Sequence, residues 1–419
     1  MLGTVKVDKV YECDVISLEN EGKGVCKIGG MVVFVPKVLP GEKVRIRITE
    51  KKKNYARGKL IEILNPSIKR VESACPYYDL CGGCNLRHQT KEENLIFKKE
   101  KVKTALEKFG KLDIDVEDVI PSVREENYRN KASFKVEDDK IGFYEEGTYR
   151  LINIRECMLC NEEINRAFRI IKRYIEFNIN DIKDITIKHG NLYNELLVDI
   201  RSTSNSDVKI VDYLINNISN VKTIVFNDKL VYGNGYIREI IDGLVFNVSS
   251  KSFFQVNDST VKTLYETAIK LAKLKKKDIV LDLYSGTGTI ASLVSKHVKE
   301  VIGIEIVEDA VKDAKENFIN NHINNVKMIC SDVSKEIINI QDDINVIFID
   351  PPRKGIDRKT IAVMKKIGPE KIIYISCNPV TMARDLSYLS DMYDVKKVVP
   401  IDMFPNTEHV ECVCLLERK

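Results

Sequence analysis

The C-terminal part of the sequence, from about residue 257, alternates short apolar strand patterns with helical patterns. Helical patterns cover 257–274, 287–297 and 308–320, and the apolar stretches are DIVLDLY, EVIGIEI, KMICSD, INVIFIDPP and IIYISCN. Strands joined by helices need crossover connections, which favour a parallel sheet with helices on both faces. We therefore predict an α/β, Rossmann-like domain with a doubly wound sheet over residues 246–419.

The first 65 residues show five short strand-like stretches, separated by turn signals such as Gly29-Gly30 and Pro40-Gly41. This pattern predicts a small OB-like barrel over residues 1–65, a fold that often binds nucleic acid. Residues 1–70 contain 15 lysine and arginine residues against 8 acidic residues, a net charge of +7, whereas the whole chain carries +4. The local excess of positive charge indicates a polyanionic partner, although a β module with a solvated basic face would share it.

Residues 66–245 combine a cysteine-rich loop at 73–88, a helical pattern from Lys91 to Phe109, and strand patterns with one helical stretch around 160–177. This predicts a small central α+β region. No apolar stretch approaches the ~18 residues of a membrane-spanning helix, and the N-terminus has no signal-peptide core. Eleven cysteines in such a chain favour metal binding or chemistry in a reducing compartment over disulfides. We expect a cytoplasmic protein without a membrane partner.

The segment LDLYSGTGTI (281–290) joins a predicted strand to a helix, where ligands often bind. Gly286 and Gly288 would let the backbone approach a ligand closely. Glu305 ends the next predicted strand and could accept hydrogen bonds from ribose hydroxyls, and Asp332 ends the third and could meet an adenine edge. This indicates an adenosyl ligand without a pyrophosphate, so S-adenosylmethionine fits better than NAD. A connecting loop without a ligand is the alternative.

Cys377 directly follows the apolar stretch IIYIS, one predicted strand after the Asp-Pro-Pro loop that begins at Asp350. The Asp-Pro-Pro loop alone would suit methylation of an exocyclic amine, which needs no thiol. A thiol at a strand end suits methylation of carbon 5 of a pyrimidine, because that carbon becomes nucleophilic only after a thiolate adds to carbon 6. We predict Cys377 as the nucleophile, with an inert buried thiol as the alternative.

A base must then remove the proton from carbon 5, and the segment DMFPNTEHVECVCL (402–415) offers Glu408, His409 and Glu411. Glu411 begins the final apolar stretch, where it would be held rigidly and partly desolvated. Desolvation raises the pKa of a carboxyl toward a value suited to general-base catalysis. Glu411 is therefore the predicted base, although each of the three could be a surface charge.

Cys75, Cys81 and Cys84 lie within ten residues of one another and predict a metal site. The fourth ligand is left open among Cys157, Cys160 and the nearer His88. Four thiolates suit either zinc or a [4Fe–4S] cluster. Zinc sites more often combine two Cys-x2-Cys pairs, and within this loop only Cys81 and Cys84 form one, which favours the cluster. Its distance along the sequence from the catalytic motifs indicates a structural or RNA-facing role.

With these motifs on one chain, the sequence resembles the RumA-like 23S rRNA (uracil-5-)-methyltransferase family over nearly its whole length. GKGVCKIGGMVVFVPKVLPGE resembles a TRAM domain, and CPYYDLCGGC resembles the family's cluster loop. FFQVN, DLYSGTG, IDPPR, SCNP and FPNTEHVE match the catalytic-domain motifs in the family's order. The resemblance implies a class I methyltransferase domain, an N-terminal TRAM barrel and a central iron–sulfur region.

The resemblance also implies roles for individual residues. It implies that Cys377 is the nucleophile and Glu411 the base. It implies that the [4Fe–4S] cluster is bound by Cys75, Cys81, Cys84 and Cys157. It implies that S-adenosylmethionine is contacted by Gln255, Tyr284, Glu305 and Asp350, with Asp332 a weaker match to the family pattern.

We thus expect a monomeric enzyme that uses S-adenosylmethionine to methylate carbon 5 of a uridine in structured RNA. The barrel would hold phosphates, and the target base would be flipped toward Cys377. The resemblance puts 23S ribosomal RNA first as the substrate. The alternatives are the same reaction on the T-loop uridine of tRNA, and a non-catalytic RNA-binding protein with a vestigial methyltransferase domain.

Overall fold

The computed structural model describes residues 5–178 and 181–419, and its N-terminal part is a closed β-barrel of five strands. Residues 1–4 of the predicted barrel region lie outside the described residues. The strands are β1 (Val10–Leu18), β2 (Gly24–Ile28), β3 (Met31–Val35), β4 (Lys43–Lys51) and β5 (Tyr55–Asn65). Alternate residues of β4 fill the barrel, since Val44, Ile46 and Ile48 are fully buried while Arg45 and Arg47 are not. The predicted OB-like barrel is confirmed.

Helix α1 (Lys91–Ala105) follows the cysteine loop and continues into a π-helical turn at Leu106–Gly110. Its buried side chains, among them Val102 and Leu106, belong to the same apolar core as Tyr393 near the C-terminus. The helix therefore packs on the C-terminal sheet, although it falls inside the predicted central region. The domain bounds at residues 65 and 245 stay predictions.

The central region is built on a seven-stranded sheet. Its strands are β6 (Lys131–Glu137), β7 (Lys140–Tyr144), β8 (Leu151–Asn153), β9 (Ile182–Gly190), β10 (Glu195–Ser202), β11 (Val221–Phe226) and β12 (Lys229–Gly233). The sheet order is β12-β11-β10-β9-β6-β7-β8. Two helices follow in this part of the chain, α2 (Glu162–Phe177) and α3 (Lys209–Asn217). The sequence pattern predicted α2 alone, because α3 buries only Ile210, Val211 and Leu214, too few residues for a clear helical period.

A hairpin of β13 (Tyr236–Ile241) and β14 (Leu244–Ser249) connects the central sheet to the C-terminal domain. Its inward side chains, including Ile237 and Phe246, are buried in the core of that domain. The hairpin leads directly into the loop that carries Gln255. This part of the chain therefore positions a candidate cofactor-binding residue.

The C-terminal domain is a seven-stranded sheet with the order β17-β16-β15-β18-β19-β21-β20. Its strands are β15 (Ile279–Leu283), β16 (Glu300–Glu305), β17 (Val326–Cys330), β18 (Val346–Ile349), β19 (Lys371–Ser376), β20 (Tyr393–Ile401) and β21 (Glu411–Arg418). Its helices are α4 (Asp258–Ala272), α5 (Thr289–Ser295), α6 (Glu308–Asn320), α7 (Val333–Glu336), α8 (Arg358–Ile367) and α9 (Pro379–Leu389). Strands β15 to β19 are parallel, and β21 is antiparallel to β19. The predicted Rossmann-like fold is confirmed. Within the described ranges, no helix combines the length and the apolar character needed to cross a membrane.

Candidate active site

The residues predicted for catalysis and cofactor binding lie along one edge of the C-terminal sheet. The carboxyl ends of its parallel strands meet at this edge, where open α/β sheets bind ligands. In the order of the strands across the sheet, the edge carries Asp332, Glu305, Tyr284, Asp350 and Cys377. Strand β21 runs in the opposite direction, so its first residue, Glu411, lies at the same edge. All six residues and Gln255 line one cavity of about 1370 Å³.

The loop after β15 is shaped by backbone conformations that few residues adopt. Tyr284 has a φ of 61° and Gly286 a φ of 55°, both left-handed. A Cβ added at Gly286 would meet nothing within 4 Å, so the loop leaves open space where it lines the cavity. A Cβ at Gly288 would lie 2.7 Å from Cζ of Phe318. This glycine therefore lets α6 pack closely, and its approach to a ligand stays a prediction.

Two buried carboxyl groups hold the same loop. Glu305 Oε2 accepts a hydrogen bond from Gly286 N at 2.9 Å. Its Oε1 accepts hydrogen bonds from Ile306 N at 2.8 Å and from Val307 N at 2.9 Å. A carboxylate has about four acceptor positions, which leaves one for a ligand hydroxyl. Asp282, within β15, accepts from Ser285 Oγ at 2.5 Å and Ala291 N at 3.2 Å, and burial raises its pKa to about 7. An acid within an otherwise apolar strand was the sequence signal for Asp282, and it was missed.

Gln255 and Asp332 reach the cavity from loops outside the strands. Gln255 is buried, and its backbone oxygen accepts a hydrogen bond from Asn130 Nδ2 at 3.4 Å, which ties its loop to the central region. Asp332 Oδ1 accepts from Ser334 Oγ at 2.5 Å and from Ser334 N at 2.8 Å, and these bonds lower the pKa of Asp332. Capping of α7 accounts for Asp332 without a ligand. Its contact with a cofactor stays a prediction.

Cys377 and Glu411 are neighbours across two adjacent strands. Ser376 of β19 pairs with Cys412 of the antiparallel strand β21. Cys377, which follows Ser376, therefore lies beside Glu411, which precedes Cys412. Cys377 is half-buried and Glu411 is buried, and both line the cavity. Asp350 lies at the end of the adjoining strand β18. The fold thus brings a thiol and two carboxyl groups together beside the loop that follows β15.

Burial is the main influence on the ionisation of these three groups. It raises the pKa of Asp350 to about 7. It raises the pKa of Glu411 well above the usual range, with a further contribution from Asp350. It raises the pKa of Cys377 to about 11, with the charges of Glu411 and Asp350 adding to the effect. Burial therefore favours the neutral thiol at position 377 and the neutral carboxyl at 411.

Arg353 is a residue of this site to which the sequence assigned no role. It lines the cavity directly after the Asp-Pro-Pro turn, and its positive charge lowers the pKa of both Cys377 and Glu411 against the effect of burial. A guanidinium stays charged in proteins, so it favours the thiolate and the carboxylate at any working pH. Its position in the IDPPR motif was the signal that could have revealed it.

Glu411 is the one member of the three candidate bases that lines the cavity. Glu408 Oε2 accepts a hydrogen bond from Asn85 Nδ2 at 2.5 Å, and His409 Nε2 lies 3.5 Å from Glu408 Oε1. The Glu408 side chain is therefore hydrogen-bonded to the cysteine loop. The geometry favours Glu411 as the base, as predicted from the sequence.

The cysteine loop lies on the same cavity as Cys377 and Glu411, in spite of its distance along the chain. The thiols of Cys75, Cys81, Cys84 and Cys157 all line the cavity that Cys377 lines, and all eleven cysteines are free thiols. Burial raises the pKa of Cys84 to about 12 in this position. The four cysteines that the resemblance selected therefore line the same cavity as Cys377 and Glu411.

Arg87 provides an unexpected positive charge at these cysteines. The residue is 6% exposed and lines the cavity, and its Nη1 donates to Glu126 Oε1 at 2.8 Å. Its Nε and Nη2 are buried without a hydrogen-bond partner, which is costly for a charged group. Cys84 attracts this guanidinium electrostatically and raises its pKa. A buried guanidinium beside Cys84 suits an anionic group bound by the thiols of this loop.

The other possible metal ligands fit less well. Tyr78 Oη lies 2.6 Å from His88 Nδ1 and Val38 O lies 3.4 Å from its Nε2, so both ring nitrogens are occupied. Cys157 and Cys160 form a second Cys-x2-Cys pair, so counting pairs does not separate zinc from a cluster. Across residues 5–178 and 181–419, no three or more His, Cys, Asp or Glu side chains form a group that could hold a metal ion.

Comparison with known proteins agrees with these observations. The sequence model described as tRNA (Uracil-5-)-methyltransferase matches residues 90–419, and that of the TRAM domain matches residues 4–61. Uncharacterized RNA methyltransferases of Clostridium tetani and Clostridium acetobutylicum are 34% and 36% identical to this chain. They align with 98% and 99% of the chain, and with 97% and 98% of their own lengths.

A solved structure resembles the whole chain. It is the Pyrococcus abyssi tRNA (uracil-54, C5)-methyltransferase in complex with S-adenosyl-L-homocysteine. Its sequence is 25% identical, and the structures superpose with a TM-score of 0.81 over 96% of this chain and 99% of that one. The similarity therefore includes the barrel and the central region as well as the C-terminal domain.

Proposed function

We propose that this chain, a member of the tRNA (uracil-5-)-methyltransferase family, methylates carbon 5 of a uridine in 23S ribosomal RNA through a covalent bond from Cys377. Its family makes it an S-adenosylmethionine-dependent RNA (uracil-5-)-methyltransferase, and it also has a TRAM domain. The observation that carries the proposal is the pairing of Cys377 with Glu411 beside the cofactor loop, on one cavity. Glu305, Tyr284, Gln255 and Asp350 would hold the cofactor there.

In the first half of the reaction, the Cys377 thiolate adds to carbon 6 of the flipped uracil. The new Sγ–C6 bond makes carbon 5 an enolate carbon, which can take a methyl group. When bound, S-adenosylmethionine would supply this methyl group from its sulfonium sulfur, leaving S-adenosylhomocysteine. Arg353, on the same cavity, favours the thiolate that the addition requires. The addition therefore depends on the balance between burial and the positive charges around the sulfur.

In the second half, the Glu411 carboxylate removes the proton from carbon 5. The electrons of the C–H bond then form the C5=C6 double bond, and the Sγ–C6 bond breaks to release the Cys377 thiolate. Burial and the nearby Asp350 raise the pKa of Glu411. The positive charge of Arg353, on the same cavity, lowers this pKa and so favours the carboxylate that the step requires.

Cofactor affinity is therefore expected to depend on pH through Asp350. Its pKa of about 7 in the free protein falls when a cation binds, so the carboxylate form binds S-adenosylmethionine more tightly. Affinity should rise about tenfold between pH 6 and pH 8, as measured by titration calorimetry. Asp350→Asn should weaken binding and flatten this dependence, whereas Asp342→Asn, at an exposed position, should keep it. An affinity of the wild-type protein that does not change over this range would contradict the assignment.

We also propose that Cys75, Cys81, Cys84 and Cys157 bind a [4Fe–4S] cluster. A four-iron cluster is wider than a single ion, so its thiolates need not converge on one point. Shared exposure of the four thiols to the cavity supports this, and so do the unpaired donors of Arg87, because a cluster with four thiolates is negatively charged. Arg87 would then donate hydrogen bonds to the thiolate or sulfide sulfurs. The cluster would orient the cysteine loop at the side of the active site.

Anaerobically purified protein should accordingly be brown and absorb in the blue region of the spectrum. Cys84→Ala should lose this absorbance, because three thiolates hold the cluster less well. Cys160→Ala is the matched control, since Cys160 lines the same cavity without being an assigned ligand, and it should keep the absorbance. Colourless wild-type protein with stoichiometric zinc would refute the cluster.

The RNA would be held by the barrel and by basic side chains around the cavity, among them Arg129, Lys131 and Lys354. Such contacts bind phosphates without reading the base sequence. The first candidate substrate, 23S ribosomal RNA, comes from the resemblance of the TRAM and cysteine motifs. The second is the T-loop uridine of tRNA, which is favoured by the full-length similarity to the archaeal tRNA enzyme. We place the enzyme in the cytoplasm as a monomer.

Mapping of 5-methyluridine in RNA from strains with and without the gene tests this proposal. We expect a 23S position to lose the modification in the deletion strain, and to regain it with the wild-type gene but not with a Cys377→Ala gene. Loss confined to the tRNA T-loop would support the second substrate instead. Unchanged 5-methyluridine in both RNAs would contradict the proposed function.

A further inference from the structure

The loop between β20 and β21, residues 402–410, leads directly to Glu411 and is held from outside its own sheet. The backbone N–H groups of Asn85 and Leu86, in the cysteine loop, donate to Asn406 O at 3.3 and 3.1 Å. From α1, Lys101 Nζ donates to Glu408 O at 2.7 Å. The path of the chain into Glu411 is thus set by residues more than 300 positions earlier in the sequence.

Asn85 makes the most specific of these contacts. Its Nδ2 donates to Glu408 Oε2 at 2.5 Å, and its Oδ1 accepts from Glu408 N at 2.9 Å. The Asn85 amide therefore forms hydrogen bonds to both the side chain and the backbone of Glu408, which lies three residues before Glu411. Asn85 donates one of these bonds and accepts the other, so together they fix the orientation of Glu408 as well as its distance from Asn85.

The same amide also contacts the N-terminal barrel. Asn85 Nδ2 donates to Glu21 O at 3.0 Å, in the turn between β1 and β2. The next residue of that turn, Gly22, has a φ of 80°, and a Cβ there would lie 2.7 Å from Cδ2 of Leu86. The barrel, the cysteine loop and the loop into Glu411 therefore meet around Asn85.

A second anchor holds the start of the same loop. Lys98 of α1 is fully buried, and its Nζ donates to Asp402 Oδ1 at 2.5 Å and to Phe404 O at 3.0 Å. Breaking a buried ion pair leaves an uncompensated charge and destabilises the fold. Lys98 is therefore a poor site for a functional test, whereas the half-buried Asn85–Glu408 contact can be changed with less effect on the core.

We propose that Asn85 is a positioning residue for Glu411, through which the cysteine loop sets the geometry of proton removal from carbon 5. This inference rests on the proposed function. Loss of the Asn85–Glu408 contact affects the step that Glu411 performs, while addition of Cys377 to carbon 6 proceeds. The covalent protein–RNA intermediate then accumulates, which a general loss of stability or of RNA affinity would not produce.

The test compares Asn85→Ala with the wild-type enzyme on unmodified substrate RNA. We expect kcat to fall roughly tenfold, as for the loss of one hydrogen bond to a charged group, with kcat/KM for RNA unchanged because only the step after addition is slowed, and a covalent complex visible on a denaturing gel. Asn217→Ala is the matched control. It removes the bond from Asn217 Nδ2 to Tyr213 O within α3, away from the cavity, and it should behave as wild type.

Exchanging the amide and the carboxylate between positions 85 and 408 tests whether their contact is responsible for the effect. Asn85→Asp places two carboxylates against each other and should lower kcat further than Asn85→Ala. In the Asn85→Asp/Glu408→Gln double variant, the new amide can donate to the new carboxylate, so activity should return toward the wild-type value. A double variant no better than Asn85→Asp, or a slow Asn85→Ala enzyme without the covalent complex, would overturn the inference. If Glu411→Gln itself forms no complex, the assignment of Glu411 as base has failed instead.

Discussion

Replacement of Cys377 by alanine is expected to lower the rate of uridine methylation by roughly 10⁴-fold or more, the scale on which loss of a covalent nucleophile acts. Without the sulfur, carbon 6 receives no nucleophile and carbon 5 stays unreactive toward the methyl group. Cys377 is half-buried at a strand end and lies outside the apolar core clusters, so the variant should fold normally. Methyl transfer from labelled S-adenosylmethionine to RNA measures the loss.

The matched control for Cys377→Ala is Cys330→Ala. Cys330 is an exposed thiol at the end of β17, on the same sheet, and its replacement should leave methylation unchanged. Cofactor binding by Cys377→Ala should remain close to wild type, since the thiol is not among the groups assigned to the cofactor. A Cys377→Ala enzyme that still methylates uridine would place the nucleophile elsewhere.

Replacement of Glu411 by glutamine is expected to lower turnover by about 10²- to 10⁴-fold, the usual range for a general base. The covalent protein–RNA complex should accumulate at the same time, because an amide cannot take the carbon 5 proton and the thiolate cannot leave. Glu411 is 3% exposed, and a neutral amide of the same shape is cheaper to bury than a carboxylate. A denaturing gel with labelled RNA would show the complex.

Glu417→Gln is the matched control for this variant, since Glu417 lies near the opposite end of β21 from Glu411. It should turn over normally and show no complex. Loss of activity in Glu411→Gln without any complex would mean that Glu411 acts before or during the addition of Cys377.

The sheet and the order of the site residues were accessible from the sequence because both depend on local patterns. Apolar strands separated by helices predict a parallel sheet, and residues that directly follow parallel strands must meet at one edge. This reasoning placed Glu305, Asp350 and Cys377 at the same edge, as the structure does. Glu411 was predicted as the base from its position at the start of an apolar stretch.

Residues that act through tertiary contacts were not accessible in this way. Asn85 and Glu408 are 323 positions apart, and neither has a strand-end position or a motif spacing that indicates the other. Distance along the sequence also suggested that the cysteine loop lies away from the catalytic loops, whereas its thiols line the same cavity. For Gly288 the local rule did not reveal that α6 packs against this glycine.

The covalent mechanism is tested most directly with RNA in which the target uridine is replaced by 5-fluorouridine. Fluorine at carbon 5 cannot be removed as a cation, so the intermediate cannot break down and the protein stays bonded to the RNA. The mechanism predicts a complex that requires S-adenosylmethionine, and mass spectrometry of the digested complex should locate the nucleotide on the peptide containing Cys377. A complex attached to another residue, or methylation-competent protein that forms no complex, would contradict it.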